Sequence, residues 1–490
     1  MSSLSFDVVV IGGGSAGYAA ARTASDAGAA VAVVEGGSQV GGLCILRGCM
    51  PSKSLLESSH RWAAIRDAKR FGLEAEPVRA HIDKIVARKN KLIGEFADYR
   101  RGQLEKGNFT FLRGNATFSG PNAICLRTDG DEQEITAKSF VITTGSIIPW
   151  IPIKGLAETG FINSDQALNL TTLPESVVVL GGGVIAVELG QYFLGLGSKV
   201  TLIQRSPQIL SGDDRDVADE LAAALRAAGM TIHTGTKLLE AKVISGNKAV
   251  VFEHEGKKKT IKAEEIFYAL GRVPHTINLG LDAARVKMDG QRIAVDAAMR
   301  TSQRGVFAAG DVTGLYEIVH IAIQQGEVAG HNAALAALGK TKFKGKVKAP
   351  RKMDYRLKAS VVFTEPEVAS VGLSEREAKE RKIPHYVATY PFNDHGKSII
   401  MGAEHGFVKI LAEKKRGEII GAQIVGPHAA DLIHEFIAVM RYKGTVAELA
   451  EMPHYHPTLA EIITYPAEEI VEKMAKPARK PKAPPGKKKA

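Results

Sequence analysis

Two units of the form strand, glycine turn, helix, strand in a chain of 490 residues predict an α/β protein with two Rossmann-like dinucleotide-binding domains and a C-terminal α/β domain. The first unit reads DVVVI, GGG, the Ala-rich YAAARTASDAG, then VAVVE. The second reads SVVVL, GGGVIAVELGQYFLGLG, then KVTLIQ, with apolar spacing that suits a helix face packed on a sheet. A third observation sets the last domain apart: the polar, basic stretch from Lys340 to Lys358 marks a boundary before it.

In the first unit Gly12, Gly14 and Gly17 form G-x-G-x-x-G directly after a strand, and Glu35 ends the next strand. Such glycines supply a tight turn, close approach to a pyrophosphate and close helix packing, while the acid can bond a ribose diol. Between the units lie a helical stretch from about Lys53 to Gln103 and a β-rich piece through FTFLRGNATF, AICLRT and FVITTGS. In the second unit the loop is Gly181, Gly183 and Ala186, alanine being the next smallest residue. At the position of the ribose acid stands Gln204, followed by Arg205. The carboxylate that repels a 2′-phosphate is missing and a cation is supplied, which points to NADPH. The alternative is NADH with Arg205 as an ordinary surface arginine.

Composition excludes other classes. Hydrophobic residues make up 45% and charged residues 24%, a globular balance with a sizeable core. Three cysteines cannot build a secreted disulfide framework. There is no membrane-length apolar run and no signal-peptide pattern, so a cytoplasmic protein is expected. The net charge of +11 suggests a polyanion binder, but eight Lys/Arg and no acid fall between Lys473 and Ala490. That Pro/Lys-rich tail has no apolar period and is expected to be disordered, either simply solvated or a tether to a polyanion.

Cys44 and Cys49 lie in GGLCILRGCMPSK, a C-x4-C pair. Zinc needs two further ligands in closed spacing and none is near, so no metal is expected. The separation allows a redox disulfide. A helix starting after Gly42 would favour a thiolate at these sulfurs. Cys125 reads as a small apolar strand residue.

With these motifs in place the chain resembles, to about Met474, the flavin-dependent pyridine nucleotide-disulfide oxidoreductases, whose members include dihydrolipoamide dehydrogenase, glutathione reductase and mercuric reductase. Six motifs carry the resemblance: the first loop with Glu35, C-x4-C-x-P-S-K, TTGS from Thr143 to Ser146 (with Thr144 and Gly145), the second loop with Glu188, GRVP from Gly271 and Arg272 to Pro274, and RGVFAAGD ending at Asp311. The resemblance implies FAD held near Asp311, and a Lys53–Glu188 ion pair beside its ring. It also implies Cys49 as the flavin-side thiol and Cys44 as the interchange thiol. Its domain plan is FAD-binding over 1–150 and 274–345, NAD(P)-binding over 151–273, dimerisation over 346–472 and a tail over 473–490.

Leu46 and Arg47 depart from the family's usual Asn-Val, and Arg47 either adds a cation beside the thiols or pairs silently with an acid. Near the end, HYHPTLAE places His456 and Glu461 in the family's acid/base motif, in the form closest to dihydrolipoamide dehydrogenases. A thiol near pKa 8.5 needs a base at neutral pH, and imidazole titrates in the right range. His454 reads as a surface or packing residue. The resemblance thus implies a homodimer that shares its active site between subunits and acts on a small dithiol or disulfide. The His456 motif favours dihydrolipoamide dehydrogenase, and Gln204-Arg205 favours an NADPH-dependent disulfide reductase of glutathione- or mercuric-reductase type. A different class, a flavoprotein acting mainly through its basic tail, is opposed by the intact cysteine pair.

Overall fold

The computed structural model describes residues 4–74, 76 and 78–476. They form two compact units, one of residues up to Ser211 plus Leu225–Asp354, the other of Gly212–Ala224 with the chain from Tyr355.

The first unit opens with β1 (Leu4–Ile11), α1 (Ser15–Asp26) and β2 (Val31–Glu35). Val8, Val9 and Val10 are all fully buried, as expected for a strand covered on both faces. Two helices follow in close succession, α2 (Gly42–Leu46) and α3 (Cys49–Asp67), then the long α4 (Ile82–Glu105). The strands β3 (Thr110–Arg113), β4 (Asn115–Gly120), β5 (Ala123–Arg127) and β6 (Glu132–Ile142) complete a sheet of order β3-β2-β1-β6-β5-β4. Its β3, β2, β1 and β6 run parallel, while β5 pairs antiparallel with β6 and β4 antiparallel with β5. A seventh strand, Val306–Ala308, comes from far along the chain and pairs in parallel with Phe140–Ile142 of β6. The Ala-rich face of α1 packs along the helix Val319–Lys342.

The second glycine unit builds its own parallel sheet in the order Thr231–His233, Lys199–Ile203, Ser176–Leu180, Glu265–Tyr268. An antiparallel three-stranded sheet lies between its last two strands in sequence, formed by Lys237–Ile244, Asn247–His254 and Lys257–Ala263.

The other unit is a five-stranded antiparallel sheet, ordered Ala359–Val362, Glu367–Gly372, Ile419–Gly426, Phe407–Glu413, His385–Pro391. Helices Ala429–Arg441 and Thr464–Ala475 cover it through Ile433, Phe436, Met440, Ala467 and Ile470.

The unit boundary falls inside the basic stretch from Lys340 to Lys358, between Asp354 and Tyr355 rather than at 345/346. The Asn332 side chain bonds both the N–H and the carbonyl of Arg351, and the Met353 N–H donates to Ala297 O. Gly212–Ala224, expected within the nucleotide domain, belongs to the second unit because Asp214 accepts the N–H groups of Glu375 and Arg376 and the ammonium of the buried Lys409. Lys473 to Ala475, expected to belong to the tail, finish a helix instead, with the Lys473 ammonium donating to Val387 O at 2.7 Å. Residues 477–490 lie outside the described ones. Among the described residues no helix is long and apolar enough to cross a membrane.

Candidate active site

The first loop has the backbone its glycines predict. Gly12 sits at φ +105°, and a Cβ there would stand 2.5 Å from Thr143 O. A Cβ on Gly17 would come within 1.8 Å of Gly12 O, so the first turn of α1 can lie against the strand end only with glycine in place. Gly14 caps α1 without a side-chain hydrogen bond, leaving the first-turn amides to an anion. Glu35 ends β2, its Oε2 accepting the Gly13 N–H at 2.8 Å and its Oε1 that of Gly37 at 2.7 Å. An adenine dinucleotide fits this arrangement, with pyrophosphate at the helix terminus and ribose at the carboxylate.

A second polar group gathers the later motifs. The Ser146 hydroxyl donates to Asp311 Oδ2 at 2.7 Å, and Arg272 donates to Ser146 Oγ at 2.9 Å and to Ser146 O at 2.7 Å. The Thr144 hydroxyl donates to His275 O, while Gly145 and Gly271, both at positive φ, have nothing within 4 Å of a Cβ position. This open ledge beside Asp311 suits a flavin's ribityl chain. Glu317, which no motif flags, lies in the same group; burial pushes its carboxyl up and Asp311 adds to the rise.

At the second loop Gly181 has φ +113°, Gly183 caps the helix Val184–Leu196 facing open space, and Ala186 is fully buried. Gln204 packs beneath Gly182, and its Oε1 accepts the Arg205 N–H at 3.0 Å. The exposed Arg205 has no ion pair among the described residues.

The helix expected to start at Gly42 does so, but the cysteine pair spans two helices. The helix starting at Gly42 stops at Leu46, the chain turns at Arg47 and Gly48, and Cys49 is the first residue of the 19-residue α3. The positive end of the longer helix, α3, therefore bears on Cys49, while Cys44 lies in the first turn of the five-residue α2. Both residues are free thiols, joined by a hydrogen bond that holds Cys49 down to about 7 against its burial, with the Lys53 cation helping. The same bond, with burial, pushes Cys44 up. One turn along α3, the Lys53 ammonium donates to Glu188 Oε1 at 3.0 Å and Oε2 at 2.8 Å, and Glu188 is only 3% exposed. Arg47 faces an acid, Asp165, at 3.8 Å. Cys125 lies in β5, and among the described residues no cluster of His, Cys, Asp or Glu could hold a metal.

His456 and Glu461 meet in the other unit, His456 Nδ1 lying 3.0 and 3.1 Å from the two carboxylate oxygens. The imidazole is 79% exposed and its partner 13%. Glu461 also accepts the Thr458 N–H, and these bonds hold its carboxyl low although burial opposes them. His454 bonds Glu435 at 2.8 Å. A further imidazole, His395, buried to 1% exposure, faces the same carboxylate. No spacing or motif in NDHGKS marks it.

The geometry defines a class: a dinucleotide-binding protein with a paired dithiol. The chain belongs to the pyridine nucleotide-disulphide oxidoreductase family, whose model matches residues 6–326, with the family's dimerisation domain matching 358–467. It is 34% identical over 463 residues to dihydrolipoyl dehydrogenase of Geobacillus stearothermophilus, covering 94% of this chain and 95% of that protein. The Thermus scotoductus dihydrolipoyl dehydrogenase is 35% identical over 470 residues, 95% and 97% of the two chains. Among solved structures, the HOCl-induced flavoprotein disulfide reductase RclA of Escherichia coli superposes with a TM-score of 0.80 at 25% identity, covering 94% of this chain and 99% of that one. Family and relatives imply an oxidoreductase that uses FAD and a pyridine nucleotide, and the dimerisation domain supports a homodimer.

Proposed function

We propose that the protein is a dihydrolipoyl dehydrogenase-like enzyme that moves electron pairs between a nicotinamide, FAD and a Cys44–Cys49 disulfide, and exchanges them with a small dithiol. The observation that supports this most is the placing of the pair: Cys49 opens α3 one turn before Lys53, whose ammonium is paired with Glu188, while Cys44 lies on the short helix just before it. Bound FAD supplies a two-electron carrier between nicotinamide and sulfur.

In the oxidised enzyme a substrate thiolate attacks Cys44 Sγ, forming a mixed disulfide, and Cys49 leaves as the thiolate its surroundings stabilise. The second substrate thiol then displaces Cys44, closing the substrate disulfide and leaving two reduced cysteines. His456, oriented by Glu461, takes the proton from the attacking thiol. It serves the disulfide of the other subunit of a homodimer. The uncompensated Arg205 favours NADPH, and with it a second reading as an NADPH-dependent disulfide reductase. The cysteine usage fits a reducing, cytoplasmic setting.

Steady-state turnover of the holoenzyme tests the two readings. Oxidation of dihydrolipoamide with NAD+ or NADP+ is expected to exceed reduction of glutathione disulfide with NADPH or NADH. Turnover confined to glutathione disulfide would overturn the first reading in favour of the second.

A further inference from the structure

His395 lies on the short segment between the edge strand His385–Pro391 and the strand Phe407–Glu413, at the cap of a helical turn, Gly396–Ile400. Its side chain has no exposure, yet its Nε2 has no hydrogen-bond partner. That nitrogen is aimed at Glu461 Oε1, 3.7 Å away. The other ring nitrogen, Nδ1, lies 2.7 Å from Ser398 Oγ. The arrangement that sets no lone pair against the carboxylate has the Ser398 hydroxyl donating to Nδ1 and the imidazole proton on Nε2. Glu461 is then shared: Oε1 faces two imidazoles, His456 and His395, and Oε2 takes the His456 ring and the Thr458 amide.

We propose that His395 is a positioning residue for the acid/base histidine: through an Nε2–H locked by Ser398 it draws on the Glu461 carboxylate, and so moderates how strongly that carboxylate holds the His456 imidazolium. The inference rests on the reading of His456 as the acid/base group.

The surroundings keep His395 neutral at working pH. Burial pushes its imidazolium down, and the nearby His456 adds to this, against the pull of Glu461. Tyr465 meets the ring edge-on at 6.0 Å, and Tyr390, stacked on Tyr465, gives its hydroxyl to Asp394. Among the described residues, the charged groups that act on this imidazole are Glu461 and His456. A neutral N–H donor beside a carboxylate stabilises its charge and lessens its pull on other partners. Losing that donor makes His456 a stronger base.

The test is the titration of His456 in 13C-histidine-labelled holoenzyme, followed by its Cε1–H resonance and assigned with His456→Ala, alongside the pH dependence of kcat/KM for dihydrolipoamide oxidation. His395→Leu is expected to raise the His456 midpoint by about half a pH unit, and the acid limb of the rate profile with it. His395→Gln, which keeps a donor, stays near the wild type. Ser398→Ala, which frees the tautomer, shifts the midpoint the same way by less, and decides the question if His395→Leu does not fold. An unmoved or lowered midpoint in the folded variants overturns the proposal. Full activity in His456→Ala would overturn the acid/base reading instead, while the resonance still reports whether His395 acts on Glu461.

Discussion

Replacing Glu188 with glutamine should make the Cys49 thiol more acidic, although an acid has been removed. Lys53 follows Cys49 by one turn of α3, which sets their Cβ atoms roughly 6 Å apart. Taking the ammonium as roughly 6 Å from the sulfur, a unit charge contributes about 2.8 kcal/mol at an effective dielectric near 20, or about two pH units. The Glu188 carboxylate lies 2.8 Å from the ammonium and opposes it. At roughly 8 to 9 Å from the sulfur it cancels about 1.5 of those units. Lys53 is 30% exposed, and solvent screening roughly halves both contributions. Glu188→Gln should therefore lower the Cys49 midpoint from about 7 by roughly half to one unit. Lys53→Met should move it the other way. The assay is iodoacetamide alkylation of Cys49, mapped by mass spectrometry in a reduced Cys44→Ser background that keeps a hydroxyl donor beside the thiol. At pH 6, Glu188→Gln should react about three to five times faster than its parent, and at pH 8 less than about twofold faster. A midpoint that stays put or rises in Glu188→Gln would refute the electrostatic account of this pair.

Three further outcomes follow from other sites. With Arg205 unpaired, NADPH should exceed NADH in kcat/KM by about one to two decades, from a charge-assisted bond of roughly 1.5 to 3 kcal/mol. Gln204→Glu with Arg205→Met should invert the preference, and an equal or better wild-type rate with NADH would sink the NADPH reading. Refolding a mixture of inactive Cys49→Ser and His456→Ala chains with flavin should recover roughly a quarter of wild-type activity if each site draws on both subunits of a symmetric dimer; no recovery in verified mixed dimers rejects the shared site. Lys409→Met should cost about 3 kcal/mol in urea unfolding at pH 7, because it leaves the buried Asp214 without its counter-charge. Asp214 is held below the ordinary carboxylate range despite its burial, so its contribution is present above about pH 4 and fades as the pH falls through its folded value. The deficit of the variant should shrink with it, and a loss that persists undiminished in acid would count against the charge explanation.

What could be read from the chain beforehand was local. The two glycine loops announce themselves because turn, close packing and ribose acid all fall within one strand-helix-strand span. The Lys53–Glu188 pair joins residues 135 positions apart and was visible only through the family resemblance. The turn at Arg47 and Gly48, which starts a second helix at Cys49, left no periodic signal in so short a segment. Gly212–Ala224 reads as part of a nucleotide domain because its membership of the other unit depends on Asp214 meeting the backbone of Glu375 and Arg376, a tertiary fact. His395 is hidden for the same reason: its neighbour Glu461 comes 66 positions later, and nothing in its own segment hints at a carboxylate.

The seventh strand of the first sheet has a consequence for synthesis. Phe140, Val141 and Ile142 are buried in the finished protein, and Val306–Ala308 fills the β6 edge beside them. On the ribosome that partner emerges about 160 residues later, at typical speeds of 5–20 residues per second a delay of roughly 10 to 30 s. During that interval the second glycine unit can close on itself, since all four strands of its parallel sheet lie between Ser176 and Tyr268. The flavin-type half, begun first, is finished only after the second glycine unit, and until then it carries an open apolar sheet edge of the kind that recruits chaperones or a neighbouring nascent chain.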